Sequence, residues 1–414
     1  MAPATRATLP PKTRPAMSIV RPTSGRIASL DQYRGYTVAG MFLVNFVGSF
    51  AATPIIFTHQ NTFCSYADTI MPQFFFAVGF AFRLTFGRRA QSEGLARAYG
   101  HVIRRLLGLA LVAIVVYGAP KAANNWEQFL ERGPLNALWH SFHRVWFQTL
   151  MHIAVTSLWI LPVVRAGALV RVAYMVASAG LQVALSHWFY FDWVNGGNGG
   201  GGIDGGVLGF LSWTIPMVIG TLACDAVTPA DGRPRLVKMI VWGLLLMGLG
   251  WLMSSGTTLY NVPEGEVIGM REQLRAPDPV IPYAERWEEP GWTFAEPPFV
   301  PPPPSDERQH NYWMMSQRAA TVSYHTFAAG LSLALYALFY IACDIWGWQL
   351  GVFRTLGTNA LVAYILHGMV DAAVSPFIPK DAPGWYITCG FLLYFGITYL
   401  FVRHLEKNNI YLKL

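Results

Sequence analysis

Long apolar runs, each bounded by polar or charged residues, dominate the chain. Ten of them are long enough to cross about 30 Å of hydrocarbon, and they cover 36–54, 68–86, 102–119, 146–164, 168–190, 207–224, 237–254, 325–346, 354–375 and 385–402. Runs of this kind predict helices, because a helix satisfies its backbone polar groups within itself. The pattern therefore predicts an all-α fold, a polytopic integral membrane helical bundle with about ten transmembrane helices.

Composition agrees with this pattern. Hydrophobic residues make up 53% of the 414 residues and charged residues only 13%, which excludes an ordinary soluble enzyme. The net charge of +7 requires no nucleic acid, because most basic residues border the predicted helices and are expected to contact the lipid bilayer. Four cysteines without CxxC or Cys/His spacing predict neither structural zinc nor a disulfide framework.

The distribution of lysine and arginine predicts the orientation of the bundle. Ten spans place both termini on one side of the membrane. If that side is the cytoplasm, roughly two thirds of the 30 basic residues lie in cytoplasmic segments, as short loops rich in lysine and arginine should. We therefore expect an N-in, C-in protein, and the short loops suggest a bacterial inner membrane.

Two polar segments interrupt the helical pattern. Residues 1–28 are rich in Pro, Ser, Thr and Arg and predict a disordered basic cytoplasmic tail. Residues 29–414 form a single transmembrane domain, with an extracytoplasmic loop insertion rich in Pro, Glu and Trp at about 255–324. Loops of this length are functional or disordered, and their aromatic side chains suit either a ligand or the bilayer surface.

A glycine-rich segment, NGGNGGGGIDGG at 195–206, joins the fifth and sixth predicted helices on the same side. A backbone without side chains approaches a substrate closely, and this segment carries one aspartate. The alternative is a plain flexible connector.

Arg34 and Asn45 lie on the first predicted helix. They are eleven residues apart, so they share one face at a separation of about 16 Å along the axis. Arg34 would stand at the cytoplasmic mouth, where a guanidinium either binds a phosphate or anchors the helix beside Asp31. The amide of Asn45 lies deeper and suits either a bound carbonyl or a hydrogen bond to another helix.

His59 follows in the outer loop, and Asp68 lies near the start of the second helix. A neutral imidazole accepts a proton near neutral pH, so His59 is a candidate general base or acyl acceptor; the alternative is a surface histidine. Asp68 is placed either to cap the second helix or to orient His59.

The ninth predicted helix carries Asn359, His367 and Asp371. His367 and Asp371 are one turn apart and can hydrogen-bond on one face, and Asn359 points within about 80° of His367. Such a cluster near the outer end of a helix suits either the orientation of an acceptor or an interhelical hydrogen-bond network.

The first two predicted helices and the loop between them contain a characteristic series of motifs. The series is Asp-x-x-Arg-Gly, Met-x-x-Val-Asn, His and Ala-Asp-x-x-x-Pro-x-Phe-x-Phe-x-x-Gly. Its residues are Asp31, Arg34, Gly35, Met41, Val44, Asn45, His59, Ala67, Asp68, Pro72, Phe74, Phe76 and Gly79. A later element comprises Gly357, Asn359, Ala360, Leu361, Tyr364 and His367. Both elements resemble the signature of the heparan-α-glucosaminide N-acetyltransferase family and its bacterial relatives. The first match is specific over 29–82 and the second is moderate over 354–371.

The resemblance implies a multi-pass membrane enzyme that passes an acetyl group from cytosolic acetyl-CoA to a sugar or amino-sugar acceptor on the far side. By resemblance, His59 is the catalytic histidine and Asn45 its active-site partner. No metal is expected. The predicted catalytic residues are His59, Asn45 and Asp68. Arg34 is predicted to bind acetyl-CoA, and the residues predicted to bind the acceptor are Asn359, His367 and Asp371.

Two other classes of protein stay open. A transporter would contain repeats with broken helices, and the two halves of the chain show no convincing repeat. A catalytically silent subunit of a larger membrane complex fits the replacement of the family's Trp and Gly after the histidine by Thr62, Phe63 and Cys64. A homodimer or a larger membrane complex is a further expectation for this chain. Binding of acetyl-CoA discriminates the enzyme from the subunit.

Overall fold

In the computed structural model the described residues are 27–196, 200–255, 280–281, 294–301 and 311–412. Within these ranges the chain is helical and contains no strand. Most of the predicted tail and much of the predicted insertion lie outside the described residues. The main helices are α1 (Ala28–Val47), α2 (Tyr66–Ser92), α3 (Leu95–Tyr117), α4 (Trp126–Arg132), α5 (Pro134–His140), α6 (Thr149–Ile160), α7 (Ala168–Leu185), α8 (Phe191–Val194), α9 (Phe210–Val227), α10 (Leu236–Ser254), α11 (Val322–Tyr340), α12 (Gly351–Thr358), α13 (Ala360–Val374) and α14 (Gly384–Lys407).

The predicted spans all correspond to helices, but these helices differ in their ability to cross a bilayer. Eight helices in the described part of the chain are long and apolar enough to do so. The 12 residues of α6 amount to only about 18 Å of helix, and α1 has Asp31, Gln32 and Arg34 in its first turns. The all-α membrane bundle is therefore confirmed, whereas the count of ten and the N-in, C-in orientation remain predictions.

Helices α2 and α9 pack closely in the centre of the bundle. A Cβ added to Gly79 would lie 1.9 Å from the carbonyl oxygen of Met217, and one added to Gly220 would lie 2.1 Å from that of Phe76. The two glycines therefore allow the backbones to touch, as is typical of helix pairs in membranes. Helices α3 and α10 lie farther out and expose apolar side chains, which suits contact with lipid.

The start of α1 and the C-terminal segment lie at the same end of the bundle, where α12 packs on the first turns of α1. Asp344 accepts hydrogen bonds from the backbone N–H groups of Ala28 and Ser29 at 3.2 and 3.0 Å, a favourable position for a carboxylate at a helix N-terminus. The side chain of Asn359 donates to the carbonyl of Ile410 at 3.0 Å. Because α1 has 20 residues, its other end is about 30 Å away.

At that other end, described parts of the long insertion and α11 brace the start of α2. The backbone N–H of Phe299 donates to the carbonyl of Cys64 at 2.9 Å, and the hydroxyl of Tyr324 donates to the carbonyl of Asp68 at 2.6 Å. Both contacts fix the segment that carries the histidine and the aspartate singled out in the sequence.

Candidate active site

His59 and Asp68 form a hydrogen-bonded pair at the end of the bundle where α1 stops and α2 begins. The Nδ1 atom of His59 lies 2.9 Å from Oδ1 of Asp68. The carboxylate is buried, with 1% of the side chain exposed, whereas the imidazole is 53% exposed. Because Nδ1–H is directed at the carboxylate, the neutral ring keeps its lone pair on Nε2.

Asp68 caps α2 and orients His59 at the same time. Its Oδ2 accepts from the backbone N–H of Ser65 at 3.0 Å and from the Ser65 hydroxyl at 2.9 Å, and the backbone N–H of Gln60 donates to both carboxylate oxygens at 3.4 and 3.3 Å. The Ser65 hydroxyl in turn accepts from the Asp68 N–H, which completes a capping box. The two roles that the sequence left as alternatives are therefore combined, and the cap holds the carboxylate in place.

The surroundings of His59 favour its protonated form. Burial lowers the pKa of the imidazole, but the hydrogen bond and the negative charge of Asp68 outweigh burial, with a further contribution from the charge of Asp204, and the pKa is raised above its ordinary value. A base whose pKa lies near the working pH is suited to accept a proton from a bound nucleophile.

A cavity of about 380 Å³ opens beside this pair, which is within the size range of small-molecule sites. It is lined by Met41, Val44, Asn45, His59, Gln60, Asn61, Ala67, Ile70, Met71, Phe74, Arg144, Gln148, Thr149, Gly202, Ile203, Asp204, Gln317, Arg318 and Tyr364. The polar members are mostly in loops and at helix ends. Phe74 lies eight residues into α2, about 12 Å from its start, and the apolar lining residues Met41, Val44, Ala67, Ile70 and Met71 also come from α1 and α2.

Asn45 lines the cavity from α1 and is supported by α13. Its Nδ2 lies 3.4 Å from Nε2 of His367, and Nδ1 of His367 is hydrogen-bonded to the carbonyl of Tyr364. The ring of His367 also stacks on Phe42, with centroids 5.7 Å apart. His367 therefore stands behind Asn45 and supports it, while Tyr364 lines the cavity itself.

The other predicted acceptor residues do not line the cavity. Asn359 has φ −124° and ψ 40°, so the predicted helix over 354–375 is interrupted there, and the angle of about 80° to His367, which assumed a regular helix, does not apply. In the described part of the chain, His367 is hydrogen-bonded to the side chain of Asn45 and to the backbone carbonyl of Tyr364, and no hydrogen bond joins it to Asp371. Lys380 acts electrostatically on Asp371.

Arg34 lies at the opposite end of α1, away from the cavity. It and Arg89 both act electrostatically on Arg105, so arginines from α1, α2 and α3 lie near one another at this end. This location agrees with a role at the predicted cytoplasmic mouth, and it separates Arg34 from the histidine pair.

Asp204 is the site residue that the sequence reasoning did not single out. It is 7% exposed and lines the cavity together with His59, and Gln317 donates from Nε2 to its Oδ1 at 2.9 Å. Burial raises the pKa of Asp204 to about 6, although the bond from Gln317 and the charge of His59 act in the opposite direction. The lone acid in a glycine-rich segment was the signal available in the sequence.

Two other histidines, His152 and His325, are buried and pack against an aromatic side chain. His152 on α6 and His325 on α11 are both fully buried, and the indole of Trp213 lies between them, 6.3 and 4.2 Å from their ring centroids. In the part of the chain that the structure describes, no group of three His, Cys, Asp or Glu residues is placed to hold a metal ion.

The fold and the cavity define a class: a multi-pass helical membrane protein with a histidine–aspartate pair in a pocket at one end of its bundle. Residues 26–236 match the family model described as "Heparan-alpha-glucosaminide N-acetyltransferase, catalytic". The chain belongs to this family, as the sequence signature predicted. No curated protein matches the chain. Gln317 and Tyr364 lie beyond the matched residues, so part of the cavity wall comes from outside the match.

Proposed function

We propose that this protein is a membrane-bound acetyltransferase that moves an acetyl group from cytosolic acetyl-CoA to a sugar or amino-sugar acceptor on the extracytoplasmic side of a bacterial inner membrane. The observation that carries the proposal is the His59–Asp68 pair at a cavity lined by both polar and apolar side chains. Membership of the family supports acetyl as the transferred group.

His59 acts as the general base. With Nδ1–H held by Asp68, its Nε2 takes a proton from the acceptor nucleophile as that atom attacks the thioester carbonyl. The carbon–sulfur bond then breaks, and the departing thiolate receives the proton from the imidazolium. Proton transfer by a positioned side chain typically contributes about 10²- to 10⁴-fold in rate.

Asn45 stabilises the negative oxygen that develops on the thioester carbonyl. Its amide lines the cavity, and His367 supports it from behind at 3.4 Å. A positioned donor of this kind lowers the barrier by about 3–4 kcal/mol where it has been measured.

The donor reaches this site from the opposite end of α1. Arg34, with Arg89 and Arg105 nearby, provides guanidinium groups that suit the phosphates of coenzyme A. Asn45 lies about 16 Å farther along the same helix, which leaves the thioester arm to extend through the bundle towards His59.

The proposal is tested with His59→Ala, and His140→Ala is the matched control because His140 is exposed on the same predicted side and does not line the cavity. Purified protein receives acetyl-CoA and glucosamine, and mass spectrometry measures the acetylated product. Thermal unfolding with and without acetyl-CoA reports binding. We expect His59→Ala to lose product formation by at least about 10²-fold while acetyl-CoA still raises its unfolding temperature.

Product formation by His59→Ala at the wild-type rate would overturn the catalytic assignment. A wild type that neither acetylates glucosamine nor gains stability from acetyl-CoA, and that purifies with a stoichiometric partner, would support the silent subunit instead.

A further inference from the structure

Asp204 is a second proton-accepting group in the cavity, and the fold is built to hold it there. Its backbone has φ 56°, a left-handed conformation that aspartate and asparagine tolerate better than most residues. The indole N–H of Trp213 donates to its carbonyl at 2.7 Å. The next residue, Gly205, donates its N–H to the carbonyl of Arg318 at 2.9 Å and accepts from the hydroxyl of Tyr190 at 2.6 Å.

One oxygen of this carboxylate remains available to a ligand. Gln317 occupies Oδ1, and among the residues that the structure describes no side chain or backbone group donates to Oδ2. His59 acts electrostatically on Asp204, so the imidazole and the carboxylate lie in the same small cavity. An acceptor bound there lies within reach of two bases.

The number of protons that an acceptor must lose depends on its chemistry. An alcohol loses one proton, and this proton is transferred to the departing thiolate of coenzyme A. One base is therefore sufficient for an alcohol. A sugar amine is mostly an ammonium at neutral pH, since amines of this kind titrate near about 8. It must lose one proton before it attacks and a second when the amide forms, and the balanced reaction releases one proton to solvent.

We propose that Asp204 binds the ammonium form of the acceptor and takes its first proton, and that His59 takes the second. The free amine then attacks the thioester carbonyl, the carbon–nitrogen bond forms and the carbon–sulfur bond breaks. His59 gives its proton to the thiolate, and Asp204 returns its own to water at the cavity mouth. The site thereby selects an amine over a hydroxyl group. This inference rests on the proposed acetyltransferase function.

The electrostatic surroundings of Asp204 suit this role. Its pKa of about 6, raised by burial, leaves it ionised at neutral pH and makes it a better base than an exposed carboxylate. The charged or titratable groups around it are His59, Asp68, Arg144, Arg318, Tyr117, Tyr324 and Tyr364. Tyrosine ordinarily titrates near 10, so Asp204 and the imidazole of His59 are the groups among these that change charge near neutral pH.

Asp204→Asn tests the inference with little risk to folding. Asparagine also tolerates positive φ and keeps an oxygen for Gln317. With glucosamine as acceptor, we expect kcat/KM of the variant to be at least about 10-fold below wild type near pH 6.5 and to approach wild type near pH 9, where the amine is already neutral. His59→Ala should stay low across this range. Asp381→Asn, an exposed acid outside the cavity, should match wild type.

A binding measurement separates this inference from the proposed enzyme. Glucosamine should raise the unfolding temperature of the wild type more than glucose does, and Asp204→Asn should abolish the difference whether or not product forms. Equal stabilisation of both proteins by glucosamine would overturn the inference. So would a loss of activity in Asp204→Asn that is the same at every pH, because that result indicates a purely structural role.

Discussion

Replacing Asp68 with asparagine distinguishes a carboxylate that acts on His59 from one that only caps α2. The variant keeps the shape and one oxygen but loses the charge that holds Nδ1–H of His59 at 2.9 Å. A hydrogen bond to a charged group contributes about 1.5–3 kcal/mol. Since the imidazole is 53% exposed, solvent screening favours the lower half of this range. A loss of about 1.5–2 kcal/mol corresponds to roughly 10- to 30-fold in kcat/KM.

Ser65→Ala is the control, because it removes only the hydroxyl from the cap, while the backbone N–H groups of Ser65 and Gln60 still donate to the Asp68 carboxylate and keep it beside His59. The Ser65 hydroxyl accepts from the N–H of Asp68 at 3.3 Å and donates to Oδ2 at 2.9 Å, and loss of an N-cap costs about 1 kcal/mol of stability. We expect a lower unfolding temperature for Ser65→Ala with near-wild-type transfer of acetyl to glucosamine. For Asp68→Asn we expect the 10- to 30-fold loss of activity derived above.

Both variants are assayed for kcat/KM and for thermal unfolding in the same detergent. The reasoning is refuted if Asp68→Asn retains full activity. It is equally refuted if Ser65→Ala loses as much activity as Asp68→Asn, since the carboxylate would then act only through the helix cap.

Two further predictions concern stability. The raised pKa of His59 means that its ion pair with Asp68 stabilises the fold below the ordinary histidine pKa and is lost as the pH rises through the raised value. The unfolding temperature should therefore fall slightly as the pH rises above the ordinary histidine pKa of about 6.5, and His59→Ala should lack this component; identical profiles would contradict the assignment. Gly79→Ala should cost about 3 kcal/mol or more, because its Cβ would meet the carbonyl oxygen of Met217 at 1.9 Å. Gly87→Ala on the same helix has open space and should be neutral or slightly stabilising, because alanine favours a helix more than glycine does. Equal unfolding temperatures for the two variants would refute close packing of α2 and α9.

Residues close together in the sequence were the easiest part of the site to predict. His59 and Asp68 are separated by one short loop, and the capping box that holds Asp68 is a local pattern within four residues, Ser65 to Asp68. Asn45 was predicted from the family signature and from the helix face that it shares with Arg34, and it lies on the last turns of the helix that leads into this loop. Asn359 was misplaced because regular helical spacing was assumed through a position where the backbone leaves the helix.

The remaining cavity residues come from segments that are far apart in the chain. Asp204, Gln317 and Tyr364 meet His59 only after α9, the insertion and α13 have packed against α1 and α2. No local pattern of hydrophobic and polar residues contains this information, since each of these segments is compatible with several neighbours.

The sequence by itself determined the helices, the class of protein and the histidine pair, because apolar run length, helix capping and a short loop are local properties of the chain. Only the tertiary structure decided which polar groups share the cavity with His59. It placed Asp204 beside His59 and His367 behind Asn45. The physical reason is that packing in a membrane is set by close contacts between helices, and these depend on shape across the whole bundle.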